Sequence, residues 1–206
     1  MTTKYGFSDV RDQLVEDLRG AYPTKWEDFR SAKDLGEDVF GSPKPHPNAV
    51  LSLFEEENVR FAVPFAAYRA SIGGVQALMS DKPGTVLSRR VLVGTVQGMH
   101  TLSTLASDSA RIFVYTGYRW VQCPMEGCAM NVDPKPVDKG IEAPEKVYSA
   151  IIAGREGGLL SPPSLKHLCT TCQGVTEANH ASWSSRIWEH LPRIFRISRS
   201  GGWDGL

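Results

Sequence analysis

The stretch PNAVLSLFEEENVRFAVPFAAYRASI, residues 47–72, carries the periodicity that decides the fold. Pro47 suits the first position of a helix, where its missing N–H would have no partner anyway. Val50, Leu51 and Phe54 then fall on one helical face. Glu55, Glu56 and Glu57 read as the solvated end of that helix. A second helix starts near Pro64 and lines up Phe65, Tyr68 and Ile72. Gly73 and Gly74 weaken it, and the run from Asp81 to Gly84 ends the segment. The apolar period is close to 3.6 and not to 2, which predicts an all-α chain built as an irregular, mostly helical bundle.

Working outward, the pattern persists on both sides. Upstream, Phe7, Val10, Leu14, Val15 and Leu18 keep helical spacing behind Ser8 as N-cap, and Gly20 and Pro23 stop the helix. Thr24 then stands three residues before Glu27, the spacing of a capping box. The helix it would open carries Trp26, Phe29 and Ala32 and ends near Gly36. Between Gly41 and Pro47, the prolines 43, 45 and 47 impose an extended turn. Lys44 and His46 on that turn are expected to point outward and be replaceable; the alternative is that they form part of a rigid partner-binding loop. Downstream, a long helix is expected from about Thr85 toward Val114. Gly94 and Gly98 share one of its faces, a mark of close helix packing in a chain of this kind.

Composition shifts after Tyr115. Residues 116–142 hold three prolines, several glycines and the first two cysteines, the look of an irregular loop held by something other than its own core. A helix is expected over Pro144 to Ala153, followed by Gly154, Gly157 and Gly158. The last helix carries Trp183, Ile187, Trp188 and Leu191, and Pro192 is expected to break or kink it. This reading divides the chain into a helical domain, 1–115, and a loop-rich, zinc-clamped helical subdomain, 116–206, packed on the first, or leaves it as one continuous domain.

The cysteines carry the clearest chemistry. Four residues separate Cys123 from Cys128, two separate Cys169 from Cys172, and 40 separate the pairs. Two close pairs across a long insertion match a structural zinc site, since each pair reverses the chain tightly enough for two thiolates to reach one tetrahedral ion. Pro124 and Gly127 suit a knuckle-like turn, and Gly174 offers another after the second pair. His180 or His167 can replace one cysteine ligand. The same residues also read as four separate buried thiols, or as a redox Cys-x-x-Cys, although no strand pattern precedes Cys169 as a thioredoxin-like motif requires.

Bulk properties exclude several classes. Forty-one per cent hydrophobic and 22% charged residues argue against disorder. Zero formal net charge gives no footprint for nucleic acid or an anionic membrane. Arg193, Arg196 and Arg199 read as a solvated helix face. No run approaches the ~18 apolar residues of a spanning helix, and no apolar leader follows Met1. A cytoplasmic or nuclear protein with reduced thiols is therefore expected. No Gly-x-Ser-x-Gly, phosphate-binding loop, dinucleotide fingerprint or His-Glu-x-x-His occurs, so a non-enzymatic chain with no catalytic residues is expected. His100 has no acidic neighbour in sequence.

The block Leu35-Gly36-Glu37-Asp38-Val39-Phe40-Gly41-Ser42-Pro43-Lys44-Pro45-His46-Pro47-Asn48-Ala49-Val50 resembles one found in BTB/POZ-domain proteins of mushroom-forming fungi. Residues Phe61 to Ala70, Lys4-Tyr5, Ala21-Tyr22-Pro23, Leu160-Ser161-Pro162, the Cys-x-x-Cys and the Trp188 to Pro192 pattern are similar to the same group. The resemblance spans nearly the whole chain and implies the helical region that follows the BTB module, with the module itself expected to be absent. What it implies is an interaction module with a protein partner of unknown identity and unknown oligomeric state. An enzyme whose site is assembled from scattered residues, or a truncated paralogue without the BTB-dependent role, are the competing expectations.

Overall fold

A computed structural model describes residues 8–31, 45–82, 84–120, 123, 125, 128, 160, 169–196 and 203, with side chains omitted at 8–12 and 106–120. The described elements are all helices: α1 (Ser8–Ala21), α2 (Trp26–Ser31), α3 (Pro47–Glu56), α4 (Val63–Ile72), α5 (Gly74–Leu78), α6 (Arg89–Trp120) and α7 (Thr170–Ile194). The all-α expectation holds, and no strand occurs among the described residues. The expected helix over 144–153, the clusters at 32–36, 42–44 and 154–158, and Phe7, Lys44, His167 and Arg199 lie outside the described residues. None of the helices is long and apolar enough to cross a membrane.

Chain contacts define two compact units. One comprises residues 1–100 and 188–206, the other 101–187. This partition differs from the sequence boundary at 115–116, because the end of α7 belongs with the N-terminal helices. Trp188 explains that: its ring lies 4.5 Å from Phe29 and 5.4 Å from Phe65, centroid to centroid.

In the first unit, α3 buries Asn48, Val50, Leu51 and Phe54, the face read from its periodicity. Pro47 occupies the first turn, and the His46 imidazole caps it by accepting the Asn48 N–H at 3.2 Å. At the other end, Asn58 takes a left-handed φ of 56°. Val59 N–H donates to Phe54 O and Asn58 N–H to Glu55 O, the paired bonds of a Schellman cap. Glu55 to Glu57 are exposed, as expected. Helix α4 packs on α3 and buries residues all round, from Val63 to Tyr68 and at Ala70 and Ser71. Gly73 separates α4 from α5, and Gly74, the first residue of α5, takes φ 75°, a backbone conformation that favours glycine. Asn48 joins these pieces: its side-chain amide donates to the carbonyls of Ala77, Leu78 and Thr85.

Several boundaries differ from the sequence reading. Helix α2 begins at Trp26 with its first bond from Phe29 N–H to Lys25 O, so Lys25, not Thr24, takes the capping place. Helix α6 begins at Arg89 because Ser88 caps it, its hydroxyl accepting the Val91 N–H. It also runs on to Trp120, past the expected end near Val114. Leu14, expected on the buried face of α1, is exposed. Gly94 and Gly98 do share a packing face: a methyl on Gly98 would sit 2.2 Å from the Phe195 ring, and one on Gly94 would sit 3.4 Å from the Phe195 carbonyl.

Pro192 does not break α7, which continues to Ile194. Its missing N–H leaves the Trp188 carbonyl without its usual helical donor. The Trp203 indole fills the gap, donating to Trp188 O at 2.9 Å. Trp203 also stacks on the Trp188 ring, 5.4 Å between centroids and 24° between planes. The Trp188 indole N–H in turn donates to Thr24 O at 3.0 Å.

Candidate metal centre

Helix α7 positions the second cysteine pair. Gln173 N–H donates to Cys169 O at 2.8 Å, so Cys169 is the N-cap and Cys172 lies three residues into the first turn. The Cys172 N–H bonds back to the Cys169 sulfur, the place an Asp or Ser oxygen takes in an ordinary cap. Gly174, expected to form a turn after this pair, is instead helical. The cap and the first turn supply the reversal that the sequence reading gave to the glycine.

The first pair follows the end of α6. Met125 N–H bonds to the Cys123 sulfur, and Cys128 N–H donates to Met125 O at 3.2 Å. These two bonds make a tight turn that brings both thiols to one side. Pro124 and Gly127, expected in that turn, lie outside the described residues. The pairs meet through Cys169 N–H, which donates to the Cys128 sulfur at 3.3 Å.

The four sulfurs all lie within 4.8 Å of one another, and Cys123 and Cys169 approach to 3.4 Å. A tetrahedral ion with metal–sulfur bonds of ~2.3 Å has sulfur–sulfur edges of ~3.8 Å. The four thiols thus sit close to the corners such an ion needs. All four are free, and Cys123, Cys128 and Cys172 are buried while Cys169 is half-buried. The group can hold a metal ion.

The surroundings act on the sulfurs in opposite directions. Backbone N–H groups of Met125, Cys169 and Cys172 aim at three of the sulfurs. The N-terminus of α7 adds the positive end of its helix dipole. The Cys172 N–H, followed by the Cys123 thiol, draws the Cys169 thiol down to about 7. Burial pushes the Cys172 thiol up. At Cys123 the Met125 N–H and the Cys172 thiol act downward, but burial and the Cys169 and Cys128 thiols outweigh them and the net displacement is upward. One thiol is thus shifted toward ionisation, while burial and the neighbouring thiols shift two of the others away from it.

His180 does not belong to this group. It lies eight residues beyond Cys172 on α7, about 12 Å along the axis. Its ring instead meets the Ser184 hydroxyl, 3.3 Å from Nε2, beside Trp183. Ser184 is fully buried, so this histidine–serine pair is a packed core contact and not an accessible nucleophile. His100 and Arg193 and Arg196 are exposed.

Comparison with protein-family models, with curated proteins and with solved structures finds no match to this chain.

Proposed function

We propose that Cys123, Cys128, Cys169 and Cys172 hold a structural zinc ion, and that the chain works as a non-enzymatic protein-interaction module. The observation that carries this reading is the convergence of four sulfurs from two distant segments into a group less than 4.8 Å across. An all-thiolate tetrahedral set suits zinc, which has no geometric demand of its own and binds soft sulfur well. Four protein ligands close the coordination shell and leave no place for an activated water. The ion's role would then be to join the end of α6 to the start of α7, replacing an apolar core where the described buried neighbours are thiols. A reducing compartment, cytosol or nucleus, keeps such thiols available. The resemblance to the helical region of fungal BTB/POZ proteins gives the interaction role, with the ion as scaffold.

The test is metal stoichiometry on protein purified without added metal. About one zinc per chain is expected, together with loss of that zinc in Cys169→Ser and loosening of the segments around the ligands before α3 and α4. A ratio near zero, with four reactive thiols in the folded protein, would sink the zinc reading. The interaction role is tested separately, by comparing partner recovery with the wild type and with a zinc-free but folded variant.

A further inference from the structure

The four sulfurs of the cysteine group are not equally open. Cys123, Cys128 and Cys172 are 2%, 7% and 5% exposed, while Cys169 is only half-buried. Oxidation of a cysteine follows its exposure and its thiolate character. A small oxidant that reaches the group therefore meets Cys169 first. Held as a metal ligand, that sulfur is already a thiolate, the form that attacks a peroxide.

A second sulfur stands beside it. The Cys123 sulfur lies 3.4 Å from that of Cys169. This is inside the ~3.8 Å edge of a zinc–thiolate tetrahedron, on the way to the ~2.05 Å of a disulfide. Both residues belong to the same compact unit, 101–187. They are also 46 positions apart in sequence, one just past the end of α6 and the other at the start of α7. A bond between them would tie together the same two segments that a shared ion would join.

We infer that Cys169 is a peroxide-sensitive sulfur with Cys123 as its resolving partner, so that oxidation exchanges a metal clamp for a disulfide clamp. This rests on the zinc reading and names a regulation of that site. The Cys169 thiolate attacks one oxygen of hydrogen peroxide. The O–O bond breaks, Cys169 becomes a sulfenic acid and hydroxide leaves. The Cys123 thiolate then attacks the Cys169 sulfur, the S–S bond forms and a second hydroxide leaves. Two protons from solvent convert both hydroxides to water. The peroxide has gained two electrons, and each sulfur has given up one. Cys128 and Cys172 remain as thiolates, too few to hold a tetrahedral zinc ion, which is released without change of oxidation state. The end of α6 and the start of α7 stay joined.

The experiment uses the full chain, assayed for zinc and then treated with hydrogen peroxide. Released zinc is read with a chromogenic chelator, and the cross-link by mass spectrometry of a non-reducing digest. One zinc should leave per disulfide formed, and the first disulfide should be Cys123–Cys169. Stripping zinc from the reduced protein should speed amide exchange at the start of α7 at least about tenfold. The peroxide-treated protein, equally free of zinc, should stay within about twofold of its starting rate, because the disulfide replaces the lost clamp. Cys169–Cys172 or Cys123–Cys128 as the first link overturns the proposal. So does zinc retained behind a Cys123–Cys169 link, or equal opening of α7 after peroxide and after chelation. Cys123→Ser removes the resolving sulfur and should leave the sulfenic acid on Cys169, where dimedone labels it. A first label on Cys128 or Cys172 overturns the proposal as well. A chain that carries no zinc before treatment defeats the metal reading. On that same sample the first link and the first label still decide the sulfur chemistry, so the two failures are read apart.

Discussion

Around Trp188, four aromatic rings lie within 6.2 Å of one indole, two indole N–H groups meet backbone carbonyls, and the indole is shut off from water. Around Cys172, the buried cluster consists of sulfurs, and three backbone N–H groups aim at them. The first region gains its stability from apolar area and can assemble from the chain alone. The second crowds four ionisable groups together, which is favourable once a cation neutralises them. The contrast is physical: one core is driven by the hydrophobic effect, the other, on the zinc reading proposed above, by coordination, and the two should respond to different insults.

The largest expected effect tests that contrast directly. Trp188→Ala should cost about 3–5 kcal/mol, the range for truncating a large buried aromatic, and should expose the amides of α3 and α4. A strong chelator should do the reverse, stripping protection from the start of α7 while α3 and α4 stay closed. Hydrogen exchange resolved by segment reads both. If chelation opens α3 and α4 as readily as the cysteine segments, the two regions form one cooperative core and the comparison fails.

Next comes alkaline pH, to which the aromatic region should respond through Tyr22. Burial pushes the Tyr22 phenol up to about 12, with Arg69 opposing more weakly. Its ring packs edge-on against Phe54 and Phe65. An unfolded tyrosine ionises near 10, so between pH 10 and 12 the unfolded state loses a proton that the folded state keeps. Stability should be unaffected by this group below pH ~10 and fall by up to about 3 kcal/mol across that window. Tyr22→Phe should flatten this part of the profile, whatever its offset at neutral pH. An unchanged slope in urea melts would place the alkaline sensitivity elsewhere.

A smaller pair of changes separates close packing from simple helix propensity. Gly98→Ala drives a methyl into the Phe195 ring, 2.2 Å from its nearest carbon. Overpacking of this kind costs about 1–3 kcal/mol and outweighs the ~1 kcal/mol that alanine gains over glycine within a helix. Gly94→Ala meets only the Phe195 carbonyl at 3.4 Å, so there the propensity gain should about offset the contact. Thermal midpoints should fall for Gly98→Ala and change little for Gly94→Ala. Equal shifts would mean that the glycines serve the helix and not the ring.

The same elements show what the sequence made legible. Helices α3 and α4 could be read because their apolar faces are complete and Pro47 marks a start. The convergence of the cysteines could be read because two close pairs can each present both thiols to one point. The shared glycine face was readable too, but its partner, Phe195, lies 97 residues away and leaves no local trace. The start of α7 was not legible: Thr170, Thr171 and Gly174 are indifferent or poor helix formers, and what anchors them is the N-cap on Cys169. Trp203 was half legible. Pro192 announces an orphaned carbonyl at Trp188, yet no pattern says which donor will reach it.

The smallest effect concerns His46, which the sequence alone leaves as an outward residue on a proline turn. The structure gives it a task. Its backbone is extended, at φ −62° and ψ 135°, as a residue before proline requires. Its carbonyl accepts the N–H groups of Ala49 and Val50, and its imidazole nitrogen accepts that of Asn48. Pro47 contributes no donor, so Asn48 offers the first N–H of the helix, and His46 supplies its acceptor. Asn48 is also fully buried and bonded to three carbonyls, so a frayed first turn would loosen the junction of α3 with α5. His46→Ala should therefore cost about 1 kcal/mol, the usual worth of an N-cap. His46→Asp should recover most of that loss, because it restores an acceptor in the same place and adds a favourable charge at the helix start. Urea midpoints at unchanged slope are the measurement. If His46→Ala melts with the wild type and His46→Asp does no better, the prolines alone hold the turn, and the imidazole is as free as its sequence context implies.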